Sequence, residues 1–188
     1  MVETPTDLTT RLQLIEAAPL GKLVLRGKPE IVGAAVTDLG FSLPEAINRA
    51  ADGAAGRAIR LGPDEHLLIL ELGHPAKVVR SLREALADRH HAVVDLSARL
   101  VAFELIGKSA QPTPVRDTLA AACPLDLDPS AFGSGQATRT ILGKAEIILD
   151  CLGPDHFRLL TNRSFADYVS LLLREAGREF GLMPEPAA

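Results

Sequence analysis

Apolar and polar positions alternate most regularly in residues 91–110, HAVVDLSARLVAFELIGKSA, and the prediction for the whole chain starts from this stretch. A first apolar run is interrupted at Asp95-Leu96-Ser97, and a second run covers residues 99–106. In the second run, large apolar side chains at Val101, Phe103 and Leu105 alternate with Ala102 and Glu104. A period of two predicts a strand with one buried face. Gly107 then precedes a predicted helix.

The pattern before residue 91 predicts strands and helices in alternation. Strands are predicted at residues 23–25, 58–61 and 66–72, with a turn at residues 62–65 where Pro63 presets the backbone. Residues 29–39 fit a strand or a helix equally well. A helix is predicted from Pro75, because Val79, Leu82 and Leu86 fall at helical spacing on one stripe.

The second half of the chain follows the same plan. Residues 138–142 and 145–149 flank Gly143-Lys144, which predicts a tight hairpin. A turn at residues 153–155 and a strand at residues 156–161 follow. Ser164 is predicted to cap a helix with the apolar stripe Phe165, Tyr168, Val169, Leu172 and Ala176. Between the halves, a helix over residues 109–122 is predicted to begin regularly with Thr113 as cap and Pro114 in the first position.

Two short segments resemble each other about 90 residues apart. GPDEHLLIL at residues 62–70 and GPDHFRLLT at residues 153–161 each open a strand that an amphipathic helix follows. The match favours an α+β fold made of two similar ferredoxin-like halves packed as one body. The predicted layout is a leader at residues 1–18, one domain at residues 19–180 with halves at about 19–93 and 94–180, and a tail at residues 181–188.

Composition narrows the possible partners and compartments. The 188 residues are 47% apolar and 23% charged, with 20 basic and 24 acidic side chains and a net charge of -4. That balance, with scattered cations and 4% aromatic residues, argues against nucleic acid or a membrane surface as partner. No apolar stretch reaches the roughly 20 residues of a membrane span. Residues 1–10 lack the basic start of a signal peptide, so the expected location is cytoplasmic.

The cysteines and histidines do not form a catalytic or metal-binding motif in the sequence. Cys123 and Cys151 lack metal-ligand spacing, and they are expected to be reduced, buried thiols. His90 and His91 would point to opposite sides of a strand, and at a helix-to-strand junction they are expected to be exposed. His66 and His156 each follow a Gly-Pro-Asp turn and are expected to be structural, strand-end histidines held by the turn.

Ser97 and the glycine-rich loop also lack the motifs of catalysis or phosphate binding. Ser97 stands in DLSAR instead of a nucleophile elbow, so Asp95 and Ser97 are expected to hold a turn through side-chain to backbone hydrogen bonds. Gly133-Ser134-Gly135 lacks the Walker lysine and the dinucleotide fingerprint. We therefore expect no catalytic, cofactor-binding or metal-binding residue in this chain.

Four stretches together resemble the gamma subunits of heterotetrameric sarcosine oxidases. They are VVDLSARLVAFELIGKSA, LAAACPLDLDPSAF, TRTILGKAEIIL and HFRLLTNRSFADYVSLLL. LGPDEHLLIL is similar as well, although the family more often has Trp where this chain has His66. The resemblance covers residues 21–176, and its more specific blocks are CPLDL and RSFADY.

The resemblance implies a fold like the folate-binding domain of the glycine-cleavage aminomethyltransferase. It also implies alpha, beta and delta partner subunits that hold FAD, NAD, FMN, zinc and tetrahydrofolate. Such complexes demethylate sarcosine oxidatively to glycine, with H2O2 and either formaldehyde or 5,10-methylenetetrahydrofolate as products. The gamma subunit is expected to be non-catalytic. If larger subunits hold it, the isolated chain should expose an apolar patch of interface size.

Three alternatives remain open at this stage. The chain could be a free-standing folate-binding or one-carbon-transfer protein of the same fold, which would need a cavity with polar groups and an aromatic wall. It could be the equivalent subunit of a complex acting on another N-methyl amine, since Pro112, Pro114 and His66 depart from the family pattern. It could also be an iron-sulfur or assembly factor using Cys123, but no basic residue adjoins that thiol.

Overall fold

The structure, a computed structural model, describes residues 11–70, 74–108 and 114–183. The first sheet contains β2 (Gly21–Arg26), β3 (Arg49–Gly53), β4 (Gly56–Arg60), β5 (Glu65–Leu70) and β6 (Ala92–Asp95). The second sheet contains β1 (Leu12–Glu16), β7 (Leu100–Gly107), β8 (Ala137–Leu142), β9 (Ala145–Gly153) and β10 (His156–Asn162). The helices are α1 (Pro29–Asp38), α2 (Pro75–Ala85), α3 (Pro114–Ala120) and α4 (Ala166–Ala176).

Both sheets have the same strand order and the same helix connections. The first sheet is ordered β3-β4-β5-β2-β6, and the second is ordered β8-β9-β10-β7-β1, with antiparallel neighbours throughout. In each half a strand, a helix, three strands and a helix follow along the chain. Without its edge strand β3 or β8, each half has the ferredoxin-like arrangement. The predicted α+β fold with two similar halves is therefore confirmed.

The strand β1 completes the second sheet, although the sequence placed it in a leader. It pairs with β7 from Leu12 opposite Gly107 to Glu16 opposite Phe103, and it takes the place that β6 has in the first sheet. Leu12 is fully buried in the core between the second sheet and the helices α3 and α4. The prediction of a leader was therefore wrong for Leu12–Glu16. The partner strand β7 lies about 90 residues away, so the sequence around β1 does not show that the two strands pair. Residues 1–10 and 184–188, which include most of the predicted leader and tail, lie outside the described residues.

Four layers bury three groups of apolar side chains. Helices α1 and α2 cover the outer face of the first sheet, and α3 and α4 cover the outer face of the second. The two inner faces pack against each other, with Ile59, Leu67 and Ile69 from the first sheet meeting Ile148 and Leu160 from the second. Because β5 is covered on both faces, its residues 67–70 form an unbroken apolar run.

The sheets are also joined through backbone hydrogen bonds at one edge. The Ala50 N–H donates to the Gly135 carbonyl at 2.8 Å, and the Ala137 N–H donates to the Asn48 carbonyl at 3.1 Å. Gly135 has a φ of +79°, a conformation that glycine adopts without strain. The Gly133-Ser134-Gly135 loop therefore contributes to the contact between the halves.

Local predictions hold for most elements. Residues 29–39, which were ambiguous, form the helix α1, and α2 begins at Pro75 as expected. The hairpin between β8 and β9 turns at Gly143 with a φ of +57°, although β9 continues four residues beyond its predicted end at residue 149. The helix α3 begins at Pro114 as predicted, while its predicted cap Thr113 lies outside the described residues.

The start and the buried face of α4 differ from the prediction. A 3-10 turn at Arg163–Phe165 precedes α4, and no side chain caps the helix, so the capping role predicted for Ser164 was wrong. Val169 and Leu173 are buried, whereas Phe165 and Tyr168 are 39% and 37% exposed. Three consecutive leucines at residues 171–173 allow several apolar stripes, and packing on the second sheet selects the stripe through Leu173.

Candidate functional site

A row of alternating charges crosses the space between the two sheets. In the second sheet, Arg158 on β10 lies opposite Glu104 on β7 and opposite Asp150 on β9. Arg57 on β4 of the first sheet binds Asp150, and Asp52 binds Arg57. We call these five residues the inter-sheet charge row. The same strand faces also carry Ile59, Ala102, Ile148 and Leu160 of the inner core, so the row lies beside that core.

The pair between Arg57 and Asp150 is the most buried part of this row. Arg57 Nε donates to Asp150 Oδ2 at 2.8 Å, and Arg57 Nη2 donates to Asp150 Oδ1 at 2.9 Å. The Asp150 side chain is fully buried, and that of Arg57 is 7% exposed. Burial raises the pKa of Asp150, and the two hydrogen bonds from Arg57 oppose that shift. Burial opposes the charge of Arg57 too, but hydrogen bonds to Asp150 and Asp52 raise its pKa above the ordinary value.

Glu104 is the carboxylate at the other end of the row, and its neighbours are Arg158 and His156. Its Oε1 accepts from Arg158 Nε at 3.1 Å and from Nη2 at 2.8 Å, while Oε2 lies 2.9 Å from His156 Nε2. Burial acts to raise the pKa of Glu104, but the hydrogen bonds from Arg158 and His156 outweigh it and lower the pKa. His156 therefore contacts a neighbouring strand instead of its own turn.

This geometry connects the halves and offers no reacting centre of its own. Each carboxylate of the buried part of the row already accepts hydrogen bonds from arginine, and the row contains no Ser, Cys or Lys nucleophile. A nearby cavity between the sheets measures about 180 Å³ and is lined by Glu65, Arg139 and Asn162 among others. That volume is below the roughly 300–1,000 Å³ of most small-molecule pockets.

His66 lies deeper than the sequence indicated. It is fully buried on β5, and neither ring nitrogen makes a hydrogen bond of good geometry among the described residues. Burial lowers the pKa of His66, although a backbone contact with Gly27 opposes the shift. The expectation of turn partners was therefore wrong, because the side chain lies on the face of β5 that carries Leu68 and Leu70 and is covered by α1 and α2. In the second half Phe157 has the same place after its Gly-Pro-Asp turn and is also fully buried, so His66 occupies an aromatic core position.

His90 and His91 line an open cavity of about 600 Å³ where β6 begins. Lys28, Arg26 and Asp64 line the same cavity, but Arg26 and Asp64 are already paired at 3.1 Å. His90 is exposed as predicted, whereas His91 is half-buried with Nδ1 2.9 Å from the Arg89 carbonyl.

Asp95 and Ser97 hold the turn before β7, as the sequence predicted. The backbone N–H and the hydroxyl of Ser97 donate to Asp95 Oδ1 at 2.8 and 2.5 Å. The Ser97 hydroxyl also accepts from the Lys22 N–H at 3.0 Å. All of these contacts are structural, and they connect β2 with the start of β7.

Both cysteines are free and buried, which confirms the prediction for them. Cys123 is 6% exposed and Cys151 is fully buried. Burial raises the pKa of Cys151, although the nearby Arg116 opposes the shift. A high pKa keeps a thiol protonated and unreactive, so the position of Cys151 does not suit a nucleophile.

Sequence analysis missed Arg116, a buried arginine beside the core of the second half. Its guanidinium donates to the carbonyls of Leu127 at 2.5 Å, Phe132 at 2.9 Å and Pro154 at 3.1 Å. It also lies 4.9 Å from the centre of the Phe157 ring. The inter-sheet charge row was missed as well. The available signal was that Arg57, Asp150 and Arg158 interrupt apolar strands at inward positions.

The described ranges contain neither a metal-binding cluster nor a membrane-spanning helix. Within them, no three or more His, Cys, Asp or Glu side chains are close enough to hold a metal ion. Among the helices described, none is long and apolar enough to cross a membrane.

Comparisons with known proteins agree on one family. The model of the sarcosine oxidase gamma subunit family matches residues 26–179. The sarcosine oxidase subunit gamma of Corynebacterium sp. (strain P-1) is 34% identical over 176 residues, which cover 92% of this chain and 83% of that protein. The subunit gamma of Corynebacterium sp. (strain U-96) is 34% identical over 170 residues, covering 89% and 80%.

Solved structures agree as well. A chain of the heterotetrameric sarcosine oxidase from Corynebacterium sp. U-96, in complex with pyrrole 2-carboxylate, superposes with a TM-score of 0.80 at 32% identity, covering 95% of this chain and 89% of that one. The glycine cleavage system aminomethyltransferase T from Bartonella henselae has a TM-score of 0.62 at 15% identity, covering 87% and 45%, and shares the fold. With a family model matched over residues 26–179 and two relatives at 34% identity, the chain belongs to the sarcosine oxidase gamma subunit family.

Proposed function

We propose that this chain is the non-catalytic gamma subunit of a heterotetrameric sarcosine oxidase. The observation that carries the proposal is the similarity along almost the whole chain, with a TM-score of 0.80, to one chain of such a complex. The family match over residues 26–179 supports it independently.

The proposed complex oxidises the N-methyl group of sarcosine. Sarcosine, O2 and water give glycine, H2O2 and formaldehyde, or the methyl carbon leaves as 5,10-methylenetetrahydrofolate when tetrahydrofolate accepts it. We assign FAD, NAD, FMN, zinc and tetrahydrofolate to the alpha, beta and delta subunits and no chemical step to this chain. We also place the complex in the cytoplasm, where buried thiols such as Cys123 and Cys151 stay reduced.

The geometry supports a structural role for this subunit. Ser97, which sequence analysis considered as a nucleophile, holds a turn, and Glu104 of the inter-sheet charge row accepts hydrogen bonds from Arg158. The Cys151 thiol is buried with a raised pKa. These contacts stabilise the two halves and leave the partner subunits to supply the reacting groups.

Free-standing folate binding is the weaker alternative. It rests on the likeness to the aminomethyltransferase, which at 15% identity concerns the fold. The cavity of about 180 Å³ between the sheets is too small for a ligand of that size. The chain could also be the equivalent subunit of a complex that oxidises another N-methyl amine. The substrate range of the purified complex distinguishes that alternative from a sarcosine oxidase.

Purification of the complex from the native cells tests the proposal. A tag is added to the chromosomal gene for this chain, and the tagged protein is purified at low salt. Mass spectrometry then identifies the chains that co-purify with it. We expect a yellow complex that consumes O2 with sarcosine. A preparation that oxidises another N-methyl amine in preference to sarcosine would move the proposal to that substrate. If the chain is recovered alone and colourless, and calorimetry shows that it binds tetrahydrofolate, the folate-binding alternative replaces the proposed subunit role.

A further inference from the structure

The outer face of α4 and the turn before it expose three large apolar side chains. Phe165 is 39% exposed, Tyr168 is 37% exposed and Leu171 is 66% exposed. They lie within seven residues of one another, and the Phe165 and Tyr168 rings meet edge to face with their centres 6.4 Å apart. We call these three residues the α4 patch. A helix that faces water normally carries polar side chains on its outer face.

The equivalent helix of the first half provides an internal comparison. Leu82-Arg83-Glu84-Ala85 in α2 recurs as Leu173-Arg174-Glu175-Ala176 in α4, 91 residues later. The Gly-Pro-Asp turns at Gly62 and Gly153 are separated by the same 91 residues. Leu82 and Leu173 are both buried against their sheets. The two helices therefore share one register, and their outer positions can be compared one by one.

The two outer faces differ in chemistry. In this register, Lys77 of α2 corresponds to Tyr168 of α4, and Arg80 corresponds to Leu171. Lys77 and Arg80 are exposed, so α2 has the charged surface of a solvated helix. The same fold position on α4 has an aromatic and an aliphatic side chain instead. Neither contributes to the core of its own half as Leu173 does, so the fold does not require them to be apolar.

The exposed tyrosine is held in one place. Its hydroxyl accepts a hydrogen bond from the Lys144 N–H at 3.1 Å, at the tip of the hairpin between β8 and β9. Gly143 allows this approach, because a Cβ at that position would lie 2.3 Å from the Tyr168 hydroxyl oxygen. An aromatic side chain that is already ordered loses little entropy on binding, which is typical of anchor residues at interfaces.

The size of the patch indicates the kind of partner. With the exposed fractions above, three side chains of roughly 150–200 Å² each present on the order of 250 Å² of apolar surface. A standard interface needs about 800 Å² from each partner. The α4 patch is therefore too small to hold two copies of this chain together by itself. It suits the apolar centre of a wider contact with a larger protein.

We propose that the α4 patch, with the hairpin tip at Gly143-Lys144, docks against another subunit of the same sarcosine oxidase complex. The complementary surface is an apolar cleft that receives Tyr168 and Leu171. This inference rests on the proposed function, since it takes the occupant from the assembly proposed above. It adds the face by which the chain is held.

The test is assembly of the complex with a variant that gives α4 the charge found on α2. Leu171→Arg introduces at a 66% exposed position the residue that α2 has at the equivalent place, so it removes no buried side chain. Arg80→Glu changes a charge on the matched helix and is the control. All subunits are co-expressed, and the recovered complex is quantified by mass and flavin absorbance. We expect Leu171→Arg to lower recovery at least about tenfold and Arg80→Glu to leave it unchanged.

A second measurement does not depend on the variant folding. A photo-crosslinking amino acid at position 171 should link this chain to another subunit within the assembled complex, while the same group at position 80 should not. If wild type and Leu171→Arg assemble equally well, or if position 171 gives no crosslink, the docking face is wrong although the proposed function stands. If Leu171→Arg only converts a dimer of this chain to monomer, a second copy covers the patch and the inference is overturned. If the wild-type chain recovers no partner, the proposed function fails, and the inference fails with it.

Discussion

Replacing Asp150 by asparagine should destabilise the protein strongly although the side chain keeps its shape. The substitution removes the negative charge that faces two nitrogens of Arg57 at 2.8 and 2.9 Å. It leaves a guanidinium that is only 7% exposed. The remaining anionic partner is Asp52, 2.8 Å from Nη1, but its side chain is 78% exposed. Solvent screens that second interaction, so it compensates only in part.

The size of the effect follows from the burial of the pair. Removal of one partner of a buried ion pair costs about 3–5 kcal/mol, because the other charge stays buried without its partner. The surviving bond to Asp52 puts the expected loss of unfolding free energy near the lower end, at about 3 kcal/mol. For a chain of this length that corresponds to a fall in Tm of roughly 6–12 °C. Arg57 and Asp150 lie on different sheets, so the loss concerns the contact between the halves.

Urea unfolding followed by far-ultraviolet circular dichroism measures this change. Asp52→Asn is the matched control, since it removes the exposed partner of the same arginine and should cost less than about 1 kcal/mol. The double variant Arg57→Met with Asp150→Leu removes both charges and should recover most of the stability. If Asp150→Asn unfolds at the same urea concentration as wild type with an unchanged slope, the buried pair does not stabilise the contact, and the reasoning is refuted.

Three further predictions concern pH and the core. The pKa of Glu104 in the folded protein lies below its ordinary value of 4.5. Its contribution to the free energy of unfolding is therefore complete above about pH 4.5 and is lost as the pH falls through the folded-state pKa. Glu104→Gln should flatten that part of a stability curve measured between about pH 3 and 6, and an unchanged slope would contradict the role of Arg158 and His156. Burial lowers the pKa of His66 from 6.5, so the unfolded state binds a proton first and stability falls as the pH drops below 6.5. His66→Phe should remove this dependence and raise the unfolding free energy at pH 5.5, because phenylalanine fills the buried position without a titrating nitrogen. If the Tm difference between pH 7.5 and pH 5.5 is the same in both proteins, the prediction is wrong. Leu12→Ala should lower the free energy of unfolding by about 2–5 kcal/mol because Leu12 is a core residue, whereas Gln13→Ala at an exposed position should change it little. If both substitutions have similar effects in chemical unfolding, this segment behaves as a leader outside the domain.

Several features of the fold were predictable because short segments determine them. Alternation in residues 99–106 predicted β7, and Gly143-Lys144 predicted the hairpin whose Gly143 has a φ of +57°. The recurring Gly-Pro-Asp turns predicted two similar halves, and the two sheets have the same strand order. The family was likewise predictable, since the blocks CPLDL and RSFADY are local in sequence.

The candidate site was less predictable, because its residues meet across the two sheets. Glu104, Asp150 and Arg158 stand at positions that a period of two assigns to the polar face of a sheet. The sequence does not indicate that this face packs against a second sheet instead of water. Arg57 comes from the other half, 93 residues away from Asp150 in the chain. His66 was misjudged because α1 and α2 cover the outer face of β5, where this side chain lies.

The sequence by itself determined most of the elements, the repeated plan of the halves and the family. These depend on backbone preferences and apolar periods that a few neighbouring residues encode. Only the tertiary structure decided that Leu12–Glu16 completes the second sheet, that α4 turns Tyr168 and Leu171 outward, and that charges between the sheets pair with each other. The physical reason is that pairing and burial depend on which surfaces meet after the chain has folded. Segments far apart in the chain determine those contacts together, and no single stretch contains them.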